Sequence, residues 1–176
     1  VYVFNNGQPS PSLKEYFRNH WYNDPWRDLD NTLVAVDDGK IVSTIRIFNR
    51  EIYLNGQKIS MGGIGEVSTR PEYGGKGLST RLLTDAIEIM EKKGMKVSML
   101  ATGIHDFYAR LGWEWVRMDI KVSTAVYNEP FPYKLRLFDH ERDIAAIGRI
   151  YREYSGRLNG PAVRENELYW KYWFNA

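Results

Sequence analysis

The chain has 176 residues, of which 43% are hydrophobic and 26% charged, as is usual for a globular domain. Its formal net charge of +2 is too small to favour nucleic acid or an anionic membrane as a partner, and no apolar run approaches the ~20 residues of a membrane helix. The absence of cysteine excludes disulfides, thiolate zinc sites and a cysteine nucleophile, so we expect a soluble cytoplasmic protein.

A helix and two hairpins are predicted in the first third of the chain. The helix runs from Ser12 to Trp21, with Ser12 as its cap and Glu15 completing a capping box. Asp-Gly and Asn-Gly pairs, at 38–39 and 55–56, are strong signals for tight hairpin turns. They join four strand-like segments: Thr32–Val36, Ile41–Phe48, Glu51–Leu54 and Gln57–Met61.

A strand, a helix and a further strand follow. After the strand that contains Gly62–Val67, apolar residues recur at helical spacing from Leu78 to Met90, and Gly94 provides a C-terminal stop. Lys96–Ala101 reads as a strand. A connection of this kind is right-handed and makes its two strands parallel, so we expect an α/β fold of the α+β type with a mixed sheet.

The remaining residues suggest a boundary near Pro130. Before it, we expect a short helix at Asp106–Leu111 and strands at Trp113–Val116 and Asp119–Tyr127. After it, we expect a strand at 133–138, a helix at 141–154 capped by Asp139 and a helix within 165–174. The predicted division is 1–128 and 129–176, and the second part is too short for a usual domain.

The glycine-rich segment Gly74–Thr80 lies between a strand and a helix, where free backbone N–H groups favour an anion. It is not a P-loop, because the required first glycine would fall at Arg70. Nor does it match the dinucleotide fingerprint, because Thr80 occupies the position of the third glycine. A glycine-rich turn without a ligand is the structural alternative.

At these residues the chain resembles the GNAT superfamily of N-acetyltransferases. The family motif, (Arg/Gln)-x-x-Gly-x-(Gly/Ala), is matched at Gly77, whereas Gly74 replaces the Arg or Gln and Ser79 the last small residue. A second family motif, aromatic-Tyr-x-x-x-Gly-aromatic, is present as FYARLGW at Phe107–Trp113.

The resemblance is closest to the branch of proteins similar to the enhanced intracellular survival protein. This resemblance rests on the GGIGEV segment at Gly62–Val67, which precedes the glycine loop, and on three later pieces: Tyr151, Asn159–Arg164 and Tyr169–Trp170. In that branch a second, degenerate GNAT-like domain follows the catalytic one. The resemblance implies a catalytic domain at 1–128, lacking its first strand and part of its first helix, and the beginning of the second domain at 129–176.

The resemblance also implies acetyl-CoA as cosubstrate. Its pantetheine arm would bond backbone groups of Val67, Ser68 and Thr69. Its diphosphate would lie on the N–H groups of the loop and first helical turn, namely Gly74, Gly75, Lys76, Gly77, Leu78, Ser79 and Thr80.

Two residues are candidates for proton transfer. Tyr108 is the candidate acid, because a phenol with a pKa near ~10 can protonate a departing thiolate. The structural alternative is that Tyr108 only packs beside Phe107 and Trp113 and takes no part in catalysis. Glu66 is the best local candidate for the base and Asp106 a weaker one, although a strand glutamate is more often a structural ion pair.

Other candidates are weak. The three histidines show no metal-ligand spacing, so no metal site is expected. An aromatic tail would form an exposed apolar patch unless it packs on a missing domain or another subunit; it comprises Tyr169, Trp170, Tyr172, Trp173 and Phe174.

Three functions remain open at this point. The leading one is acetyl transfer to a primary amine, either a lysine side chain or a small molecule such as an aminoglycoside. A non-catalytic acyl-CoA-binding module and a partner-binding domain are the alternatives.

Overall fold

The computed structural model describes Phe4, residues 8–116 and residues 132–172. Four strands form one sheet in the order β1-β2-β3-β4, and helices accompany it, which confirms the predicted mixed α/β fold. In chain order the elements are α1 (Pro11–Tyr22), β1 (Thr32–Asp37), β2 (Lys40–Leu54), β3 (Gln57–Thr69), α2 (Leu78–Lys92), β4 (Val97–Met99), α3 (His105–Ala109), α4 (His140–Ser155) and α5 (Glu167–Lys171).

Both predicted hairpins are confirmed. Asp38 and Gly39 have φ of 46° and 70°, and Asn55 and Gly56 have φ of 50° and 74°, as a two-residue turn with two left-handed positions requires. The two segments predicted on either side of residues 49–50 are one strand, β2, because this stretch stays paired with β3 throughout. β2 therefore serves both hairpins.

The strand–helix–strand crossover is also confirmed. β3 and β4 are parallel over Met61–Gly63 and Val97–Met99. α2 covers one sheet face and buries Leu82, Leu83, Ala86 and Met90. The helix approaches β3 closely, since a Cβ on Gly62 would lie 2.1 Å from the sulfur of Met90.

The two faces of the sheet have different coverings. On the α2 face, Ile45, Ile47 and Ile64 pack with the buried side of α2 in one apolar core. Because strand residues alternate between faces, Arg46 and Phe48 lie on the other face. There Arg46 meets Trp21 near the end of α1.

The start of α1 differs from the prediction. Ser10, not Ser12, is the N-cap, and its Oγ accepts a hydrogen bond from the Leu13 amide at 3.2 Å. Pro11 explains the shift, because proline suits the first helical position and lacks the N–H that would need a partner there. The predicted capping box of Ser12 and Glu15 is therefore wrong.

Two predicted strands are also wrong. Residues 113–116 have no strand; the Trp113 indole instead turns back to donate to the Ser98 hydroxyl at 3.2 Å. Residues 133–138 have none either, and Leu135 and Leu137 are 82% and 92% exposed. A strand is not stable without a neighbour to pair with. The strand predicted at Asp119–Tyr127 lies outside the described residues.

The C-terminal segment packs on the sheet. Asp139 caps α4 as predicted, accepting from the Arg142 amide at 2.9 Å. Residues 160–163 then run beside β2, where Tyr53 donates to the Pro161 carbonyl at 3.0 Å and accepts from the Gly160 amide at 2.8 Å. The predicted division at 128/129 stays a prediction.

The aromatic tail differs in part from the expectation. α5 is shorter than the predicted helix, and Tyr169 and Trp170 are 8% and 6% exposed. They pack within this chain, Tyr169 beside Trp26 and Trp170 beside Tyr151, so they need no other domain or subunit to cover them. Tyr172 is 44% exposed, and residues 173–176 lie outside the described part. In the described part of the chain, no helix is long and apolar enough to cross a membrane.

Candidate active site

The parallel strands β3 and β4 separate before β3 ends. Their pairing stops at Gly63 and Met99, whereas β3 continues for six residues to Thr69. The chain beyond β4 leads into α3, so in the part of the chain that the structure describes the end of β3 has an open side. This opening is the centre of the candidate site.

Backbone groups of β3 face the opening. Thr44 pairs with Ser68, and Arg70 donates to the Val42 carbonyl at 2.9 Å, which fixes Ser68 as a residue bonded to β2. In an antiparallel pair the bonded residues alternate, so the C=O of Val67 and both the N–H and C=O of Thr69 point away from β2 and into the opening. The site thus offers main-chain donors and acceptors along one strand.

The glycine loop delivers further donors to the same place. Gly75 and Gly77 have φ of 73° and 75°, a conformation that suits glycine. Gly77 is the N-cap of α2 and provides no side-chain hydrogen bond. The amides of Leu78, Ser79 and Thr80 therefore have no acceptor among the described residues, and the positive end of the helix dipole lies there.

Strand, loop and helix enclose a cavity of about 490 Å³. It brings together most of the residues predicted to bind the cosubstrate and the candidate acid, namely Val67, Ser68, Thr69, Gly74, Gly75, Gly77, Leu78, Ser79, Thr80 and Tyr108. Tyr73, Ile104 and Phe107 complete its lining. Ile104 carries no motif, so sequence reasoning had no signal for it.

Lys76 is not among the lining residues. Its ammonium lies 4.5 Å from the centre of the Tyr73 ring, and the Tyr73 hydroxyl donates to Asp37 at 2.7 Å. The lysine charge is thus held at the rim of the cavity, next to the loop.

Tyr108 lines the same cavity. It is 8% exposed, and its ring makes edge contacts with Phe107 and Trp113, at 5.0 and 6.0 Å between centroids. Within the described chain its hydroxyl has no hydrogen-bond partner, and burial raises its pKa. The packing expected of a core aromatic is present, and Tyr108 is also one of the residues that line the cavity.

Glu66 does not line this cavity. It occupies a β-bulge opposite Ile45 and has a φ of 55°, which is unusual for a residue with a side chain. Its carboxylate lies on the α1 face, 3.3 Å from Arg46. Burial raises the pKa of Glu66, and the attraction of Arg46 opposes that rise. The ion pair expected as the structural alternative is therefore present.

A buried charge pair stands behind Glu66 and was not predicted. Arg46 donates to Asp24 at 2.7 Å, and both side chains are almost fully buried. The partners are 22 residues apart in different elements, so no local pattern links them. Asp106, the weaker candidate base, lies exposed in the first turn of α3.

Residues 1–116 match the model of the family described as acetyltransferase (GNAT) domain. The chain belongs to this acetyltransferase family. Members of the family bind an acyl-CoA and an amine acceptor. This membership favours the two acyl-CoA functions over the partner-binding domain.

Known proteins are similar to the chain over a part of their length. An uncharacterized N-acetyltransferase of Methanocaldococcus jannaschii is 32% identical over 104 aligned positions, and the match covers 52% of this chain and 46% of that protein. A protein from Enterococcus faecalis V583, described as a probable N-acyltransferase, aligns with a TM-score of 0.71 at 20% identity over 98% of this chain and 43% of its own. Eis1 from Mycobacterium abscessus aligns with a TM-score of 0.61 at 16% identity over 93% of this chain and 45% of its own. The two structural likenesses show the fold, and the chain spans less than half the length of each of these proteins.

Proposed function

We propose that the chain transfers an acetyl group from acetyl-CoA to a primary amine. One observation carries this proposal: a single cavity is lined both by Tyr108 and by the first residues of α2, whose amides have no acceptor among the described residues. The first feature suits a diphosphate and the second suits a leaving thiolate. The cavity volume of about 490 Å³ is sufficient for an extended ligand arm.

The residues at the loop end of the cavity fit the diphosphate of acetyl-CoA. The amides of Leu78, Ser79 and Thr80 would hold the phosphate oxygens, with the helix dipole adding attraction. A Cβ on Gly75 or Gly77 would meet open space, so the backbone is accessible to a ligand there. Lys76 at the rim would supply the positive charge.

The strand end of the cavity fits the pantetheine arm. Amide groups on such an arm need donors and acceptors at intervals, which the outward backbone groups of Val67 and Thr69 provide. Ser68 would contribute its side chain rather than its backbone, because its main chain is paired with β2.

Tyr108 would act as the general acid. Acetyl-CoA supplies an activated thioester, from which a thiolate leaves when an amine attacks. The raised pKa of Tyr108 keeps its hydroxyl protonated at neutral pH, so it can donate at that sulfur. In this role the free hydroxyl, which packing alone does not require, has a function.

Glu66 would act as the base. An amine attacks as the neutral species, so its proton must be accepted on the side from which it arrives. Glu66 lies on the α1 face and Tyr108 packs in the core on the α2 face. Its side chain is 25% exposed and thus accessible. In this arrangement Tyr108 would donate a proton from the α2 face of the sheet and Glu66 would accept one from the α1 face.

The acceptor we propose is a lysine side chain or an amino group of a small molecule such as an aminoglycoside. The support is the GGIGEV segment of the branch that includes the enhanced intracellular survival protein, together with the likeness in fold to Eis1. The same resemblance supports the assignment of 129–176 as the start of a second GNAT-like domain. An acetylation panel of lysine peptides and aminoglycosides tests the acceptor.

The test of the catalytic proposal is release of free CoA thiol during amine acetylation by the intact chain and by Tyr108→Phe. We expect a rate loss of about 10²- to 10⁴-fold with little change in acetyl-CoA affinity. Tyr73→Phe is the matched control, since Tyr73 lines the same cavity and its hydroxyl is bonded to Asp37. Equal rates for Tyr108→Phe and the unmodified chain would refute the role of Tyr108. Binding without turnover over a broad panel would instead favour the acyl-CoA-binding module.

A further inference from the structure

Arg46 lies in the middle of β2, opposite Gly65. The side chain is 2% exposed, and its two terminal nitrogens point to different carboxylates. Nη2 donates to Asp24 at 2.7 Å, and Nη1 donates to Glu66 at 3.3 Å. Arg46 therefore connects a buried acid to the candidate base.

The position of Arg46 is fixed by its surroundings. The centre of the Trp21 ring lies 4.6 Å from the guanidinium carbon and that of Phe48 lies 4.3 Å from it. Asp24 is also held, because its other carboxylate oxygen accepts the Trp26 amide at 3.0 Å. A buried guanidinium with an anchored partner and two aromatic contacts is a rigid donor.

Glu66 has less support of its own. It is partly exposed and lies on a bulge with a left-handed backbone, where the side chain leaves the regular alternation of β3. Its described side-chain hydrogen bond is the one from Arg46. The carboxylate orientation thus depends on this contact.

We propose that Arg46 is a positioning residue that orients the Glu66 carboxylate to accept the proton of the incoming amine. This inference rests on the proposed role of Glu66 as the base. Asp24 has a supporting part, since it binds the other end of the guanidinium and offsets the cost of burying the charge.

The contact also sets the acidity of Glu66. Among the described residues, the charged groups around Glu66 are Arg46 from β2 and Asp24 from the loop after α1, and Arg50 lies on the far side of Asp24. The same pair acts on the pKa of His20 in α1, which Arg46 lowers and Asp24 raises. Arg46 lowers the pKa of Glu66, so loss of the contact raises that pKa. A base must be deprotonated, and the acidic limb of the pH–rate profile then moves to higher pH.

The test compares Arg46→Lys with Arg50→Lys. Arg50 is a matched control, because it also donates to Asp24, at 2.9 Å, and its guanidinium also lies over Phe48. For Arg46→Lys we expect the shorter ammonium to stay with Asp24 and lose Glu66. The acidic limb of kcat/KM should rise by about 0.5 to 1 pH unit and kcat should fall about tenfold, with KM for acetyl-CoA unchanged. Arg50→Lys should change neither.

A double-mutant cycle separates positioning from general damage. If Arg46 acts through Glu66, Arg46→Lys should cause no further loss in a Glu66→Gln background. Should Arg46→Lys fail to fold, Glu66→Asp breaks the same contact by withdrawing the carboxylate one methylene, and the same rise of the acidic limb is expected.

Two results would overturn the inference and differ in meaning. Folded Arg46→Lys with an unshifted acidic limb and unchanged kcat, beside a slow Glu66→Gln, would refute the role of Arg46 alone. Glu66→Gln with the rate and pH profile of the unmodified chain would remove Glu66 as the base and this inference with it.

Discussion

The hydroxyl oxygen of Thr69, the last residue of β3, lies 2.6 Å from that of Ser79 in the first turn of α2. Thr69 also lies 2.8 Å from the Ser43 hydroxyl, which donates to the Ser68 carbonyl at 3.0 Å. These hydroxyls tie the sheet to the start of the helix across the glycine loop. They therefore hold the two walls of the cavity at a fixed separation.

We expect Thr69→Val to raise KM for acetyl-CoA about fivefold, since about 1 kcal/mol is lost with a hydrogen bond of this kind. kcat should change little, because the reacting end of the cavity is untouched. Thr84→Val is the control: its exposed hydroxyl donates to the Thr80 carbonyl at 3.0 Å on the same helix, and Thr84 is not among the residues that line the cavity. Steady-state kinetics measures KM for acetyl-CoA in both variants. Equal KM values in Thr69→Val and Thr84→Val would contradict the role of the Thr69 and Ser79 hydroxyls in holding the cavity walls.

Gly77→Glu should abolish or strongly weaken acetyl-CoA binding, by at least about tenfold, since it places a carboxylate beside the amides proposed for the diphosphate. Gly94→Glu adds the same charge after the other end of α2, at a φ of 72° against 75° for Gly77. Both changes strain the backbone by about 1–2 kcal/mol. Titration calorimetry on folded protein checks the difference in affinity. Equal affinities in the two variants would refute the phosphate site.

The rate should show no alkaline decline from Tyr108 below about pH 10. A general acid works in its protonated form, and burial raises the pKa of Tyr108, so the proton is retained to higher pH than in a free tyrosine. The measurement is kcat against pH at saturating substrates. An alkaline limb near pH 8 that disappears in Tyr108→Phe would contradict this assignment.

Glu165→Gln should lower thermal stability at neutral pH by an amount that vanishes in acid. Hydrogen bonds from Lys58 and Tyr53 hold the pKa of Glu165 below its usual value, whereas burial raises the pKa of Tyr53 to about 12 with help from the same bond. A carboxyl whose pKa is lower in the folded than in the unfolded state stabilises the fold fully at pH values above its unfolded pKa. This stabilisation is lost as the pH falls through the folded pKa. Melting curves between pH 3 and 7 check this, with exposed Glu167→Gln as control. A pH-independent difference would contradict it.

Local patterns predicted the parts of the fold that local physics determines. The Asn55–Gly56 and Asp38–Gly39 turns need left-handed residues, and α2 carries its own apolar stripe and stop signal. The glycine loop was recognisable for the same reason. Its residues and Tyr108 meet in one cavity because the crossover from β3 through α2 to β4 is short and of fixed hand.

The remaining features depend on distant partners. The length of β2 follows from pairing with β3 across polar residues that suggested an interruption. Residues 133–138 form no strand, and among the described residues they have no neighbouring strand to pair with. The Arg46–Asp24 pair and the left-handed backbone of Glu66 had no sequence signal. They arise where α1 packs against the sheet, which periodicity does not reveal.

The segment 160–163 has a further consequence for the solution behaviour of this chain. It pairs with the edge of β2 near Tyr53, past the end of the pairing between β1 and β2. Without this segment, the main-chain groups at that edge could form hydrogen bonds with another polypeptide. Unpaired edges of this kind promote self-association. Truncated chains that end before Asn159 would expose that edge of β2. They should aggregate through strand addition, even though the residues of the cavity are all present.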